Sequence, residues 1–227
     1  MKEKRGLSRH LEMVISFVIF TGFLLFLFVY IKPVNQNTLS DSVLLHIDDY
    51  FSKNAGTNLT VIFLKVNSDR TDCFSVSFNA IADGHSLARS ALNGEKIPSS
   101  YNQNKLTVYP ESENSFYILI SDEFPGTSLS ECNPPLEYDI GSIETDFIIS
   151  NRSLYELKKE YEKDYENLKE KMSIPETMDF SIQSSDNEFV LEKQIPENTQ
   201  VSARSNLYKV LYSDGSIKNK EFIFKAW

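Results

Sequence analysis

Met13-Val-Ile-Ser-Phe-Val-Ile-Phe-Thr-Gly-Phe-Leu-Leu-Phe-Leu-Phe-Val-Tyr-Ile31 is an uncharged run of 19 residues near the start of a 227-residue chain. As an α-helix it would extend about 28 Å, close to the hydrocarbon thickness of a bilayer. A buried helix of a globular domain rarely runs so far without a polar break. A cleaved secretory signal would have a shorter apolar core and a small-residue exit, unlike Tyr30-Ile31-Lys32-Pro33. Residues 13–31 are therefore expected to form one transmembrane helix, with the lipid bilayer as a partner.

The flanks predict its orientation. Within residues 1–31, Lys2, Lys4, Arg5 and Arg9 outnumber Glu3 and Glu12, a net of +2, while the remainder carries 19 basic and 30 acidic residues. The positive-inside rule puts a basic leader, residues 1–12, in the cytoplasm and everything after the helix outside. The expected location is the cell membrane, single-pass, with an extracellular C-terminal part. The overall charge of −9 argues against whole-chain nucleic-acid binding, which needs a basic face.

Lys4-Arg5-Gly6-Leu7-Ser8-Arg9-His10-Leu11-Glu12 precedes the apolar run. A basic leader, a glycine, a glutamate and then an apolar helix resembles the N-terminus of type IV prepilins. Arg5-Gly6-Leu7-Ser8 is similar to the archaeal class III signal peptides. The resemblance covers about the first 33 residues. It implies cleavage by a prepilin peptidase between Gly6 and Leu7, and helices that later pack on those of like subunits. In that family a glutamate at the fifth mature position pairs with a neighbour's new α-amino group. Glu12 falls at the sixth, and Arg9 and His10 stand where pilins are mostly apolar, so the chain departs from the pattern. The alternative is the basic flank of an ordinary signal anchor. The whole chain is also similar to uncharacterised archaeal single-pass proteins, a likeness that implies no activity.

Beyond Pro33, which cannot continue a helix, the expected fold class is α+β: a β-rich extracellular region with a short helix near 39–53 and a long amphipathic helix near 152–172. Leu39, Val43, Leu44, Ile47, Tyr50 and Phe51 repeat at helical spacing after a capping box at Thr38-Leu39-Ser40-Asp41. Strands are predicted over 60–66, 74–78 and 145–149, with a pair at 106–109 and 115–120 and one or two helical turns between Asp83 and Pro98. In residues 151–172, Leu154, Leu157, Tyr161, Tyr165, Leu168 and Met172 form one stripe, capped by Ser153 and Glu156. The stripe suits packing on the chain's own sheet; a two-stranded coiled coil is the alternative. Pro175 marks a break, and residues 178–227 read as a small antiparallel β unit closed by a hairpin at Ser213-Asp214-Gly215. The domains expected are thus 38–150, 151–172 and 178–227 beyond the leader and the helix.

Cys73 and Cys132, an even pair placed outside the membrane, favour a disulfide; two unrelated thiols are the alternative. Asn58-Leu59-Thr60 and Asn151-Arg152-Ser153 match glycosylation sequons at Asn58 and Asn151, though the second also suits a helix cap. No nucleophile elbow, zincin motif, phosphate loop or dinucleotide fingerprint is present. Asp83-Gly84-His85-Ser86 reads as a turn rather than a catalytic group. Asp48-Asp49 and Ser184-Ser185-Asp186-Asn187-Glu188 lack EF-hand spacing and read as solvated acids. No metal or cofactor is expected. The functional expectation is a non-enzymatic, membrane-anchored, pilin-like envelope protein that displays a β-rich domain and assembles through its helix, alone or with other envelope proteins. The alternative is a non-polymerising, tethered binding or accessory domain.

Overall fold

The structure is a computed structural model. It describes residues 4–30, 36–67, 73–78, 83–110, 113–130, 132–134 and 137–227, with side chains from residue 12 to 27 in the first helix and from Leu39 in the second. The chain divides into two compact units, residues 1–42 and 43–227.

The first unit contains α1 (Lys4–Tyr30) and the opening of α2 (Gln36–Ala55). Among the described residues, no helix is long and apolar enough to cross a membrane. This finding overturns the transmembrane helix expected at 13–31. The single-pass signal anchor, the α+β class headed by a spanning helix, and the cell-membrane location with a cytoplasmic N-terminus and extracellular C-terminal part are corrected with it. The described chain is a β-rich fold with four helices. Gly6 and Leu7 fall within the α1 backbone, and the Leu7 side chain lies outside the described residues. Residues 31–35, including Pro33, also lie outside them.

In the second unit, α2 leads into β1 (Gly56–Val66). There follow β2 (Phe74–Ser77), β3 (His85–Ser90), β4 (Lys96–Ile97), β5 (Ser99–Asn102), β6 (Lys105–Val108), β7 (Ser115–Ser121) and β8 (Tyr138–Ser150). Then come α3 (Asn151–Lys163), α4 (Tyr165–Lys171), β9 (Phe180–Ser184), β10 (Val190–Leu191), β11 (Ser202–Leu211) and β12 (Ile217–Ala226). Nine strands form one sheet in the order β10-β9-β12-β11-β8-β1-β7-β3-β4, and β2-β6-β5 form a second. Strands from 56–150 and from 178–227 thus share a sheet. The two halves join at a narrow parallel seam, Ile149 opposite Val210 and Ser150 opposite Leu211.

Three apolar clusters hold this unit. Alternation puts Ile62 and Leu64 of β1 on one face with Phe116 and Ile118 of β7, packed on Val76 and Leu106 of the three-stranded sheet. Leu59, Leu119 and Ile148 point to the other face and meet Phe124 and Leu211. A third cluster packs α2, α3 and α4 on β9 and β12, with Phe51 of α2 fully buried. Its ring lies 4.9 Å from that of Phe222 and 5.3 Å from that of Phe224. The stripe of the long helix therefore packs on its own chain.

Several local expectations change for identifiable reasons. The helix of 151–172 breaks at Asp164, whose backbone is extended (φ −155°) and whose carboxylate caps α4 by accepting from Asn167 N at 3.1 Å. The cap of α3 is Ser150, accepting from Ser153 N at 3.0 Å, three residues before the expected Ser153. The helical turns expected near Leu87 and Ala88 are strand β3, because pairing with β7 buries Ser86, Ala88 and Ser90 on one face. The segments near 106–109 and 115–120 belong to different sheets. Cys73 and Cys132 form a disulfide with Cα atoms 5.8 Å apart. Ser75 Oγ on β2 accepts from Cys132 N at 3.1 Å, so hydrogen bonding fixes the segment that the disulfide joins.

Candidate functional site

A depression of about 540 Å³ opens between the end of α2, the start of β3 and α3, lined by His85, Asp122, Arg152, Glu156 and Glu160 among others. Its residue types invite a catalytic reading, and its geometry explains why they do not form a relay. His85 and Ser86 are neighbours on a strand, so their side chains point to opposite faces. His85 is exposed and its ring lies over Gly126, where a Cβ would come within 2.9 Å. Ser86 is buried and donates to Ser99 Oγ at 3.2 Å. Glu156 and Glu160 pair with Lys159 and Lys171. Among the described residues, His85 has no orienting carboxylate, which a nucleophile–base pair requires.

The other acidic groups singled out in the sequence are paired internally. Lys220, 8 % exposed, ion-pairs with Asp186 at 2.8 Å and also with Glu188. Hydrogen bonds from Lys220 and Ser184 hold the Asp186 carboxyl down at about 2. The Lys220 ammonium stands where a bound cation would have to stand. Asp48 accepts from Asn206 Nδ2 at 2.6 Å and from the Tyr208 hydroxyl, tying α2 to β11, and Asp49 pairs with Lys53 at 2.7 Å. Asp179 accepts from Tyr165 at 2.9 Å and Lys193 at 2.9 Å. Burial works to raise its carboxyl, but Lys193 and Tyr165 outweigh that and hold it below the usual range. Burial first, and Asp179 second, push the Tyr165 phenol up. Among the described residues no group of three or more His, Cys, Asp or Glu could hold a metal ion.

Glu123 escaped the sequence reading. It is 5 % exposed, accepts from Ser150 Oγ and from Arg152 N at 3.0 Å, and so stands at the N-terminus of α3, where a negative charge is favoured. Nothing in the sequence around Ser121-Asp122-Glu123-Phe124 distinguishes this buried acid from its exposed neighbour Asp122. Asn58 and Asn151 are both exposed, Asn58 within β1 and Asn151 as the first residue of α3.

The first unit presents a different kind of surface. Glu12 is exposed, and beyond it the described side chains of α1 are apolar around the whole helix apart from Ser16 and Thr21. Met13 is 74 % exposed, Phe17 69 %, Ile19 66 % and Phe20 60 %. Thr21 donates to Phe17 O at 2.8 Å, so its hydroxyl is satisfied within the helix. No family model matches this chain, nor does any curated protein or solved structure.

Proposed function

We propose that the chain acts by binding rather than catalysis: α1 is an assembly helix that packs against the same helix of other copies, and the β-rich unit is what the assembly displays. The observation that carries this reading is the exposure of α1 on every side. Met13, Phe17 and Phe20 lie along one stripe, Val14 and Val18 along another, and Ile15 and Ile19 along a third. A helix that is apolar all round is stable when it is buried within a larger core. A bundle of like helices supplies that core and also needs no polar face. The internal pairing of Asp48, Asp179, Asp186 and Glu188 supports a non-catalytic role, since these groups already have their partners.

The similarity of Arg5-Gly6-Leu7-Ser8 to a prepilin leader extends the reading. A prepilin peptidase would cut after Gly6, leaving Glu12 near the start of the mature helix, where it can pair with a neighbouring subunit's amino terminus. Sedimentation of the full chain tests the assembly. The expected result is large species for the wild type and a monomer for Val18→Asp/Phe20→Asp, with the far-ultraviolet spectrum of the β-rich unit unchanged. A wild-type chain that is monomeric overturns the reading. Mass measurement of the mature N-terminus tests processing: a start at Leu7 is expected, and a start at Met1 refutes it.

A further inference from the structure

We propose that the outer edge of β8 is a docking site for an extended segment of a partner protein whose side chains alternate between apolar and basic. This goes beyond assembly through α1, because the edge lies wholly within residues 43–227.

The backbone supplies the first argument. β8 is 13 residues long, and its inner edge pairs with β1 along nearly its whole length, from Tyr138 opposite Val66 to Ile149 opposite Gly56. On its outer edge, among the described residues, only Ile149 and Ser150 have a strand partner. The seam lies at the last residues of both strands, and back from it, over Ser202–Lys209, β11 runs parallel to β8 without a further rung. The rest of the β8 edge is left to offer its backbone groups to another strand, the arrangement that strand addition uses.

The side chains supply the second. Tyr138, Ile140 and Ile143 stand opposite Val66, Leu64 and Ile62, on the face of the sheet that forms the core. Those three β1 residues are 4 %, 0 % and 0 % exposed, whereas their β8 neighbours are 39 %, 41 % and 45 % exposed. The three-stranded sheet covers β1 and stops short of β8. A register shift between the Ile140 and Ile143 rungs keeps both halves of the row on this one face. Gly141 makes the shift feasible, since a Cβ there would come within 2.6 Å of the Phe63 ring. Phe147, 59 % exposed, continues the row to a cavity of about 310 Å³ at the point where β8 and β11 part. That cavity suits a large apolar side chain at one end of the incoming segment.

Charge selects the occupant. The opposite face of β8 carries Asp139, Glu144 and Asp146, and the strand has no basic residue. Asp139 accepts from Asn67 Nδ2 at 3.1 Å and Asp146 pairs with Lys209 at 3.7 Å, so among the described residues Glu144 is the acid of this face left for a basic side chain of the incoming segment. A second copy of β8 would bring carboxylates towards carboxylates, which is unfavourable across paired strands. A segment with basic residues on one face and apolar residues on the other satisfies both faces at once.

The test uses the full chain and a fluorescent nonapeptide of alternating valine and lysine, followed by anisotropy. Binding is expected, and N-methylation of alternate peptide amides, which blocks strand pairing, should weaken it at least tenfold. Glu144 is exposed, so Glu144→Lys should leave the fold intact, weaken the valine–lysine peptide at least tenfold and improve binding of a valine–glutamate peptide by a similar factor. Ile143→Ser should weaken both peptides. Absence of binding, equal binding of the N-methylated peptide, or indifference to Glu144→Lys overturns the proposal. So does self-association of the Val18→Asp/Phe20→Asp chain that Ile143→Ser abolishes, which would make the occupant a second copy. Failure of α1 assembly alone leaves these peptide measurements unaffected, so the two readings fail separately.

Discussion

Lys220 of β12 reaches Asp186, in the turn after β9, at 2.8 Å while its own side chain is only 8 % exposed. The pair gives the β-rich unit an acid-sensitive link. The Asp186 carboxyl is held at about 2 in the folded chain, against about 3.9 when unfolded. A depressed carboxyl stabilises the fold above the unfolded value and loses that contribution as pH falls through the folded one. For Lys220, burial acts to lower its ammonium, but Asp186 and Glu188 outweigh it and raise it. Its contribution is therefore complete below about pH 10 and is lost only as the pH rises through the folded value. Urea midpoints should fall between about pH 4 and pH 2 in the wild type, and Lys220→Met should flatten that slope. An unchanged slope in the variant would refute the assignment.

Phe51 should dominate the core between the helices and the C-terminal strands. It is fully buried, with rings of Phe222, Phe224 and Tyr208 at 4.9, 5.3 and 5.7 Å. Phe51→Ala is expected to cost about 3–5 kcal/mol by urea unfolding. Phe147→Ala, which removes a 59 % exposed ring, should cost no more than about 1 kcal/mol. Similar losses for both would contradict the burial pattern.

The disulfide closes a loop between residues 59 positions apart. Cys73→Ser/Cys132→Ser should lower stability by about 4 kcal/mol in the chain-entropy model. A reductant should reproduce that loss in the wild type and have no effect on the double variant. A reductant-insensitive wild type would argue against the bond.

Glu123 satisfies both the Ser150 hydroxyl and the Arg152 N–H at the start of α3. Glu123→Ala should cost about 1–3 kcal/mol, because the buried Ser150 hydroxyl and the partly buried Arg152 N–H lose their acceptor. Glu123→Gln, which keeps an acceptor oxygen, should cost less. Hydrogen exchange at Arg152 reports the change directly: faster exchange is expected in Glu123→Ala, and an unchanged rate would remove Glu123 from the cap.

Much of the secondary structure was legible because local periodicity encodes it. Residues 39–53 carry a 3.6-residue repeat and lie within α2, and residues 60–66 lie within β1. The same logic misread Leu87 and Ala88 as helical, because only pairing with β7 tells a strand from a short apolar turn. It also missed most of β8. The register shift near Gly141 breaks the alternation, so Tyr138, Ile140 and Ile143 did not read as part of the strand expected at 145–149. The nineteen uncharged residues of 13–31 read as a membrane span, but among the described residues no helix meets the required length and apolarity.

The sequence by itself determined where helices and strands begin to form, that residues 13–31 carry no charge, and that the only two cysteines are available to pair. These follow from side-chain chemistry repeated at short range. Only the tertiary structure decided that Lys220 pairs with both Asp186 and Glu188, that His85 and Ser86 face apart, and that β11 meets β8 at only two rungs among the described residues. Each depends on residues distant in the chain being brought to one place by packing, which no local period records. The open edge of β8 is the clearest case. Its apolar row could have been core, and it is exposed because the three-stranded sheet covers β1 and ends there.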